Sequence, residues 1–379
     1  MNILYLMTEP YGIGGVQSDL LILSEDLRAR GHRVLVATTQ GVLLPELQAR
    51  GAEFVDIDFH FKDPRKLAAA AARLRRLVRD ERVDLVAPQS VRSSVVAYAA
   101  LRLLPTRYRV PSTGRRVPVV TTIHNIHNPR NFQRAAQILR YCADFVIFES
   151  HYERNRLLAH GLSDSRSAVI HSGIDIERLA RPTQTSELAA RYGVQPGHHL
   201  VYGIVARLSE EKGHNYLVNA FAGVVRQLPH ARLLIIGDGP LLPQVRQQVD
   251  SLGLHREVIF TGMQRDIASH LALLDVFVLA STRESFPLSA REAMSASRPV
   301  IAPRIGGCPE VVEDGVTGLL FDAANTQDLR DKMLRMAQPQ VRMVMGSAGL
   351  ERARRLFSRQ AWVDGDEGVY LQWASGGAR

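Results

Sequence analysis

Short β-branched apolar runs alternate along the whole chain with longer stretches whose apolar residues recur at helical spacing. In the first half the pattern predicts strands at Asn2–Met7, Arg33–Ala37, Val83–Ala87, Pro118–Ile123, Phe145–Phe148 and Ala168–Ile170. It predicts helices at Val16–Arg30, Lys66–Glu81, Arg92–Leu104, Arg134–Tyr141 and Tyr152–Leu158, with Gly31 as the stop of the first. The second half repeats the rhythm, with strands at Leu200–Ala206, Arg232–Ile236, Val258–Phe260, Val276–Leu279 and Pro299–Ala302 and helices between them. Alternation of this kind predicts an α/β fold of parallel sheets covered by helices on both faces.

A boundary is expected between His171 and about Pro196, where Gly173, Pro182, Gly193 and Pro196 interrupt polar sequence that shows no strong apolar period. The expected architecture is two facing Rossmann-like, doubly wound domains with an interdomain cleft at their carboxyl strand ends, where such sheets bind ligands.

Composition narrows the class. Of 379 residues, 46% are apolar and 22% charged, which excludes a disordered or collagen-like chain. No apolar run approaches the ~20 residues that cross a bilayer, and Met1–Met7 lacks the basic flank of a secretion signal. Two cysteines, Cys142 and Cys308, make no disulfide framework, so a cytoplasmic location is expected. The net charge of +9 is uneven: residues 1–170 hold 24 basic and 16 acidic side chains, and residues 171–379 hold 23 and 22. The first half therefore suits an anionic partner: nucleic acid, an acidic substrate or an anionic lipid surface.

Four segments carry candidate chemistry. Gly12-Ile13-Gly14-Gly15 joins the first strand to the first helix, where glycines let backbone approach a ligand; the dinucleotide fingerprint is incomplete because Gln17 stands at its third glycine. Ala206-Arg207-Leu208-Ser209-Glu210-Glu211-Lys212-Gly213 follows a strand, and its two cations suit a diphosphate, although pairing with Glu210 and Glu211 would account for them equally. Lysine is scarce, four against 43 arginines, which singles out Lys212.

Arg283-Glu284-Ser285-Phe286-Pro287-Leu288-Ser289-Ala290-Arg291-Glu292 places Pro287 at the start of a helix. Glu284 and Glu292 are then on the order of 12 Å apart at ~1.5 Å per residue. That is too far for two carboxylates acting on one glycosidic bond, which stand ~5 Å apart in retaining hydrolases. The spacing suits a sugar at one glutamate, a diphosphate at the helix tip and a ribose at the other, unless Glu292 is a solvated helix carboxylate. The fourth segment, Thr122-Ile123-His124-Asn125, puts a histidine at a strand end, either to meet a sugar hydroxyl or as a structural residue. Further turns at carboxyl strand ends are Gly237-Asp238-Gly239-Pro240 and Gly306-Gly307-Cys308-Pro309-Glu310.

Other signals carry less. His124 and His127 have H-x-x-H spacing but no third ligand, so no metal site is expected. Asp56-x-Asp58 lies at a strand edge, and Asp364-x-Asp366 is placed among surface residues near the C-terminus. The loop Pro105–Pro118 is basic, with Arg107, Arg109, Arg115 and Arg116.

Taken together, in order and spacing, these segments resemble the family-4 retaining glycosyltransferases of the GT-B fold. The resemblance spans nearly the whole chain and also takes in Val169-Ile170-His171-Ser172-Gly173-Ile174-Asp175 and Val311–Phe321. It implies three parts: an acceptor-side domain 1–172, a nucleotide-sugar domain 173–355 and a helical segment 356–379 that crosses back. Arg207 and Lys212 would bind the donor diphosphate in a pocket lined by Gly237 and Gly239. Glu284 would contact the transferred sugar, helped by the backbone of Ser285, Phe286, Pro287 and Leu288. Glu292 would hold the ribose, His124 would sit beside the donor sugar, and Gly14 and Gly15 would line the acceptor side. Asn125 stands where many relatives have aspartate, and it receives no catalytic role.

The implied reaction is transfer with retention from a UDP-, GDP- or ADP-sugar to a glycan or lipid-linked acceptor, in polysaccharide or lipopolysaccharide synthesis. No cofactor or metal is expected, because fixed cations and helix-tip amides would take the leaving group's charge. Arg65, Arg73, Arg75, Arg76, Arg79 and Arg82 lie on or beside one helix with Leu67, Leu74 and Leu77, a pattern that suits either an anionic membrane surface or a soluble basic helix packed on the sheet. The alternatives are a GT-B-like phosphorylase or a nucleotide-sugar epimerase. A nucleic-acid-binding protein is disfavoured, because aromatics are only 6% and no basic-aromatic interleaving occurs.

Overall fold

The computed structural model describes residues 1–12, 14–59, 63–103, 108–126 and 129–376. Ile13, Arg107 and His127 lie outside the described residues. The chain divides into two compact units, Met1–Gly173 with Arg359–Arg379, and Ile174–Ser358.

The first unit is built on β1 (Asn2–Leu6), β2 (Arg33–Thr38), β3 (Glu53–Asp56), β4 (Leu85–Pro88), β5 (Val120–Ile123), β6 (Phe145–Phe148) and β7 (Ser167–Val169). All its ladders are parallel, in the orders β3-β2-β1-β4 and β5-β6-β7, and a parallel bridge from Val86 to Val119 links the two sheets. Ile3, Leu4, Tyr5 and Leu6 are all fully buried, as expected of a central strand covered on both faces. The C-terminal helix Arg359–Ala374 belongs to this unit and buries Trp362, Val363 and Tyr370 in the core that holds Tyr5.

The second unit carries β8 (Leu200–Val205), β9 (Ala231–Ile236), β10 (Val258–Gly262), β11 (Val276–Val278), β12 (Val300–Pro303) and β13 (Gly318–Phe321), all parallel in the order β10-β9-β8-β11-β12-β13. In each unit the first strand lies between the second and the fourth. Strand order therefore reverses between β1 and β4 and between β8 and β11, and crevices open at such reversals.

Several elements differ from the sequence expectation. β3 and β13 were not predicted, and β3 is an edge strand whose two apolar residues are flanked by Glu53 and Asp56. The stretch expected to be an irregular linker holds helices Ile176–Leu179 and Thr185–Arg191, with Ile176, Leu179, Leu188 and Ala189 buried. Each helix is too short to show a period. The helix expected at Arg92–Leu104 is α-helical over Val91–Tyr98 and then widens to a π turn at Ala99–Leu103.

The helix of the arginine cluster runs Pro64–Asp80. Ala70, Ala71, Leu74 and Val78 are buried in the core, and Leu67 and Leu77 pack against it. The apolar stripe of this helix thus packs on the protein's own sheet. What faces outward is Arg65, Arg73, Arg76 and Arg79.

Candidate functional site

In the second unit the predicted residues converge at the carboxyl ends of β8 and β11. The segment Glu210–Lys212 is a single 3-10 turn that ends at Gly213 with φ +65°, and the helix His214–Gln227 begins there. A Cβ at Gly213 would meet the carbonyl oxygen of Ala280, so only glycine lets the two loops close. Lys212 Nζ then donates to Glu284 Oε1 at 2.7 Å, and Ser281 Oγ donates to the same oxygen at 2.7 Å. Lys212 thus pairs with Glu284 rather than with Glu210 or Glu211; Glu211 accepts from Ser209 Oγ instead. Arg207 is exposed two residues past β8, with no ion pair among the described residues.

The loops carrying these groups are held by close backbone contact. Gly237, Gly239 and Gly306 stand where a Cβ would strike the carbonyl oxygens of Ala206, Leu208 and Glu284 respectively. The helix after Glu284 is Leu288–Ser295, with Pro287 as its N-cap, one residue outside the predicted first turn, and no side chain caps its amides. Phe286 has its ring in the core, edge-on to Phe357 at 5.6 Å and covered by the Arg291 guanidinium at 4.2 Å. Only its backbone is therefore available to a ligand. Ser285 is buried. Glu292 is half-buried, not a solvated carboxylate; burial pushes its pKa up to about 7 against the opposing charges of Arg178 and Arg291.

In the first unit a groove of about 240 Å³ opens at the carboxyl ends of β1, β4 and β5, lined by Thr8, Gln17, Gln89, Ser90, His124 and Asn125 among others. Gly14 is the N-cap of the helix Gly15–Ala29 in extended backbone, and no side chain caps that helix. A Cβ on Gly15 would meet nothing within 4 Å, so no neighbour demands glycine there.

His124 faces oxygen on both sides. Its Nε2 lies 2.9 Å from Gln89 Oε1, and its Nδ1 lies 2.8 Å from Glu149 Oε1. Gln89 donates its own amide to the Ala87 carbonyl, which leaves the Gln89 oxygen toward the ring. Acceptor oxygens on both sides favour the protonated ring of His124. Burial opposes that charge, but Glu149 outweighs it and the pKa rises. A sugar hydroxyl reaching Nε2 would have to take the place of Gln89.

The histidine does have neighbours that could complete a ligand set. Donor atoms of Asp19, His124 and Glu149 lie within 4.8 Å of one another, with Asp19 and Glu149 buried. Sequence reasoning missed them because they come from the first helix and from the end of β6. Beneath His124, a cavity of about 10 Å³ is lined by Asp19, Gln89, Thr122, Glu149 and Asp366. That volume holds about one water. Asp366 was expected at the surface but is 2% exposed. Burial, then the nearby Glu149 charge, push its carboxyl up to about 8, while Trp362 donates to it. Asp364 is the exposed member of that pair and bonds Arg30 at 2.7 Å.

The profile of the Glycosyl transferases group 1 family matches residues 199–338, and that of Glycosyltransferase Family 4 matches residues 13–178. A GDP-mannose-dependent alpha-(1-6)-phosphatidylinositol monomannoside mannosyltransferase of Mycobacterium tuberculosis is 30% identical over 74% of this chain and 73% of its own. The chain belongs to the group 1, family 4 glycosyltransferases. This glycosyltransferase is also 26% identical to the N-acetyl-alpha-D-glucosaminyl L-malate synthase of Bacillus anthracis, over 92% of this chain and 91% of the other. Its fold is GT-B. Anabaena HepE, solved with UDP and glucose, superposes with a TM-score of 0.81 at 25% identity, covering 98% of this chain and 99% of that one. A Rickettsia africae glycosyltransferase gives 0.85 at 19% identity, over 100% and 99%. No helix among the described residues is long and apolar enough to cross a membrane.

Proposed function

We propose that this glycosyltransferase moves a sugar, with retention at the anomeric carbon, from a nucleoside-diphosphate sugar to a glycan or lipid-linked acceptor. The observation that carries this reading is the meeting of Lys212 and Glu284 at 2.7 Å between an exposed Arg207 and an uncapped helix N-terminus. In this reading Arg207 and Lys212 take the diphosphate, with the free amides at Leu288 and Ser289 adding the helix dipole. Glu284, already bound to Lys212, touches the sugar that departs from that diphosphate. Glu292 accepts from the ribose hydroxyls. The four groups supply charge stabilisation without a metal.

A uridine or guanosine nucleotide is favoured as the base, since HepE binds UDP and the mycobacterial relative uses GDP-mannose. The mycobacterial name also supports a lipid-linked acceptor. A cytoplasmic enzyme that touches the inner membrane face through exposed Arg65, Arg73, Arg76 and Arg79 fits such an acceptor, by charge alone rather than by insertion.

A thermal-shift panel of UDP, GDP, ADP and their sugars tests the donor site, since a bound donor raises the melting temperature by mass action. One nucleotide should stabilise the wild type and fail to stabilise Lys212→Ala. No shift with any of them rejects the reading. Flotation with anionic vesicles, repeated at high salt, tests the membrane contact.

A further inference from the structure

We infer that a groove on the amino-terminal edge of the first unit's sheet binds a phosphate-type anion. β5, β6 and β7 run parallel, and His124 and Glu149 follow the carboxyl ends of β5 and β6. Arg116, Asp144 and Arg166 come just before β5, β6 and β7, so they gather at the other end of the same strands, four residues or about 13 Å away. There they line an open groove of about 550 Å³ with Arg102, Arg140 and Trp373.

The charge in this groove is unbalanced. Four guanidinium groups face one carboxylate, Asp144, which meets Arg102 at 2.6 Å and Arg116 at 3.7 Å. Two donors in the same wall also lack acceptors: Arg102 Nη1 and Trp373 Nε1 are buried and bond nothing among the described residues. Buried donors are almost always satisfied, and an orphan among them is costly. A ligand with several acceptor oxygens would relieve these deficits once the two side chains turn toward the groove.

The backbone is arranged to hold these donors. Arg102 is presented by the π turn Ala99–Leu103, a feature that recurs at functional sites. Its Nη2 also donates to the Val117 carbonyl at 3.2 Å. Arg166 is fixed through Nε to the Asp144 carbonyl at 3.1 Å and through Nη2 to that of Ala143. Arg116 and Arg140 are exposed at the mouth of the groove, where both can reach a bound group. Converging guanidinium forks match the several oxygens of phosphate better than the two of a carboxylate. The phosphate belongs either to a free phosphate ester or to a lipid head group. This end of the sheet is remote from the groove that holds His124.

Two titrations of the full chain test the assignment. Inorganic pyrophosphate is titrated by calorimetry into Lys212→Ala, which weakens the proposed donor site. Vesicles of phosphatidylcholine with one third phosphatidylglycerol are titrated separately. Binding should fall at least tenfold when Arg140→Glu is added. It should be unchanged by Arg226→Glu, an equal charge change on an exposed residue of the other unit. Loss confined to pyrophosphate assigns a free phosphate ester, and loss confined to vesicles assigns a head group. If neither ligand binds, or if Arg140→Glu at unchanged melting temperature weakens neither, the assignment is overturned. Failure of the nucleotide panel would leave this result standing, because Arg140 takes no part in the donor site.

Discussion

Lys212 Nζ and Glu284 Oε1 stand 2.7 Å apart although 72 residues separate them, so the turn after β8 and the loop after β11 share one ion pair. The Glu284 side chain is 9% exposed, against 26% for Lys212, so the carboxylate depends on its partner more than the ammonium does. Replacing Lys212 with Ala should lower kcat by 10²–10³, roughly the effect of deleting one donor from an oxyanion site. It should also cost about 1–3 kcal/mol of stability by leaving Glu284 with Ser281 alone. Glu284→Gln in the Lys212→Ala background should cost far less than the sum of the two single changes. Steady-state rates and urea unfolding of the four proteins check this; additive losses would mean that the two residues act apart.

Gly306 has φ +54°, and a Cβ there would run into the carbonyl oxygen of Glu284. Gly306→Ala should therefore destabilise the second unit by about 2 kcal/mol or more and displace Glu284. The expected readout is a lower melting temperature together with a loss of kcat that saturating donor does not restore.

Much of this arrangement was legible in the sequence because glycines and charges at strand ends are local signals. The parallel sheets followed from apolar runs of three to seven residues, and the donor-side motifs each fall past a strand. Two kinds of feature were not legible. Ile176–Leu179 and Thr185–Arg191 are too short for a helical period to emerge. The environment of His124 is assembled from Asp19, Gln89, Glu149 and Asp366, which no spacing rule connects. Asp366 in particular read as a surface acid, because its neighbours Asp364 and Glu367 are polar; only the packing of Trp362 and Tyr370 around it shows otherwise.

Glu149 Oε1 lies 2.8 Å from His124 Nδ1, and its charge keeps the pKa of the ring up against burial. Glu149→Gln keeps the shape and removes the charge, so the His124 pKa should fall. The loss of kcat/KM should grow as pH rises, and the limb of the pH–rate profile that depends on His124 should move to lower pH than in wild type. A pH–rate profile parallel to wild type at both ends would remove His124 charge from the account.

Glu292 offers a check on the ribose site from stability alone. Its pKa is raised from 4.5 to about 7 in the folded chain. The folded state holds this proton more tightly than the unfolded state, so the associated stability is complete below pH 4.5 and is lost as pH rises through 7. Glu292→Gln should be about 1–3 kcal/mol more stable than wild type at pH 8 and equal to it near pH 4. The same variant should bind nucleoside diphosphate about tenfold more weakly while its affinity for inorganic pyrophosphate stays unchanged.

Asp366 should show the same sign over a more alkaline window. Its carboxyl is raised from 3.8 to about 8 by burial and by the Glu149 charge. Below pH 6 the group is neutral and fits its buried site beside Tyr370. The unfolded chain ionises near 3.8 and the folded chain only near 8, so wild-type stability should fall as pH rises from about 4 to about 8 and level off above that. Asp366→Asn cannot ionise and keeps an oxygen for the Trp362 N–H, so its melting temperature should stay flat across that window and exceed wild type at pH 9 by several degrees. Because Asp366 and His124 line the same small cavity, the variant should also alter the alkaline limb of the pH–rate profile. An Asn variant whose melting temperature falls with pH in step with wild type would show that Asp366 titrates elsewhere, and would assign the alkaline loss to another buried acid.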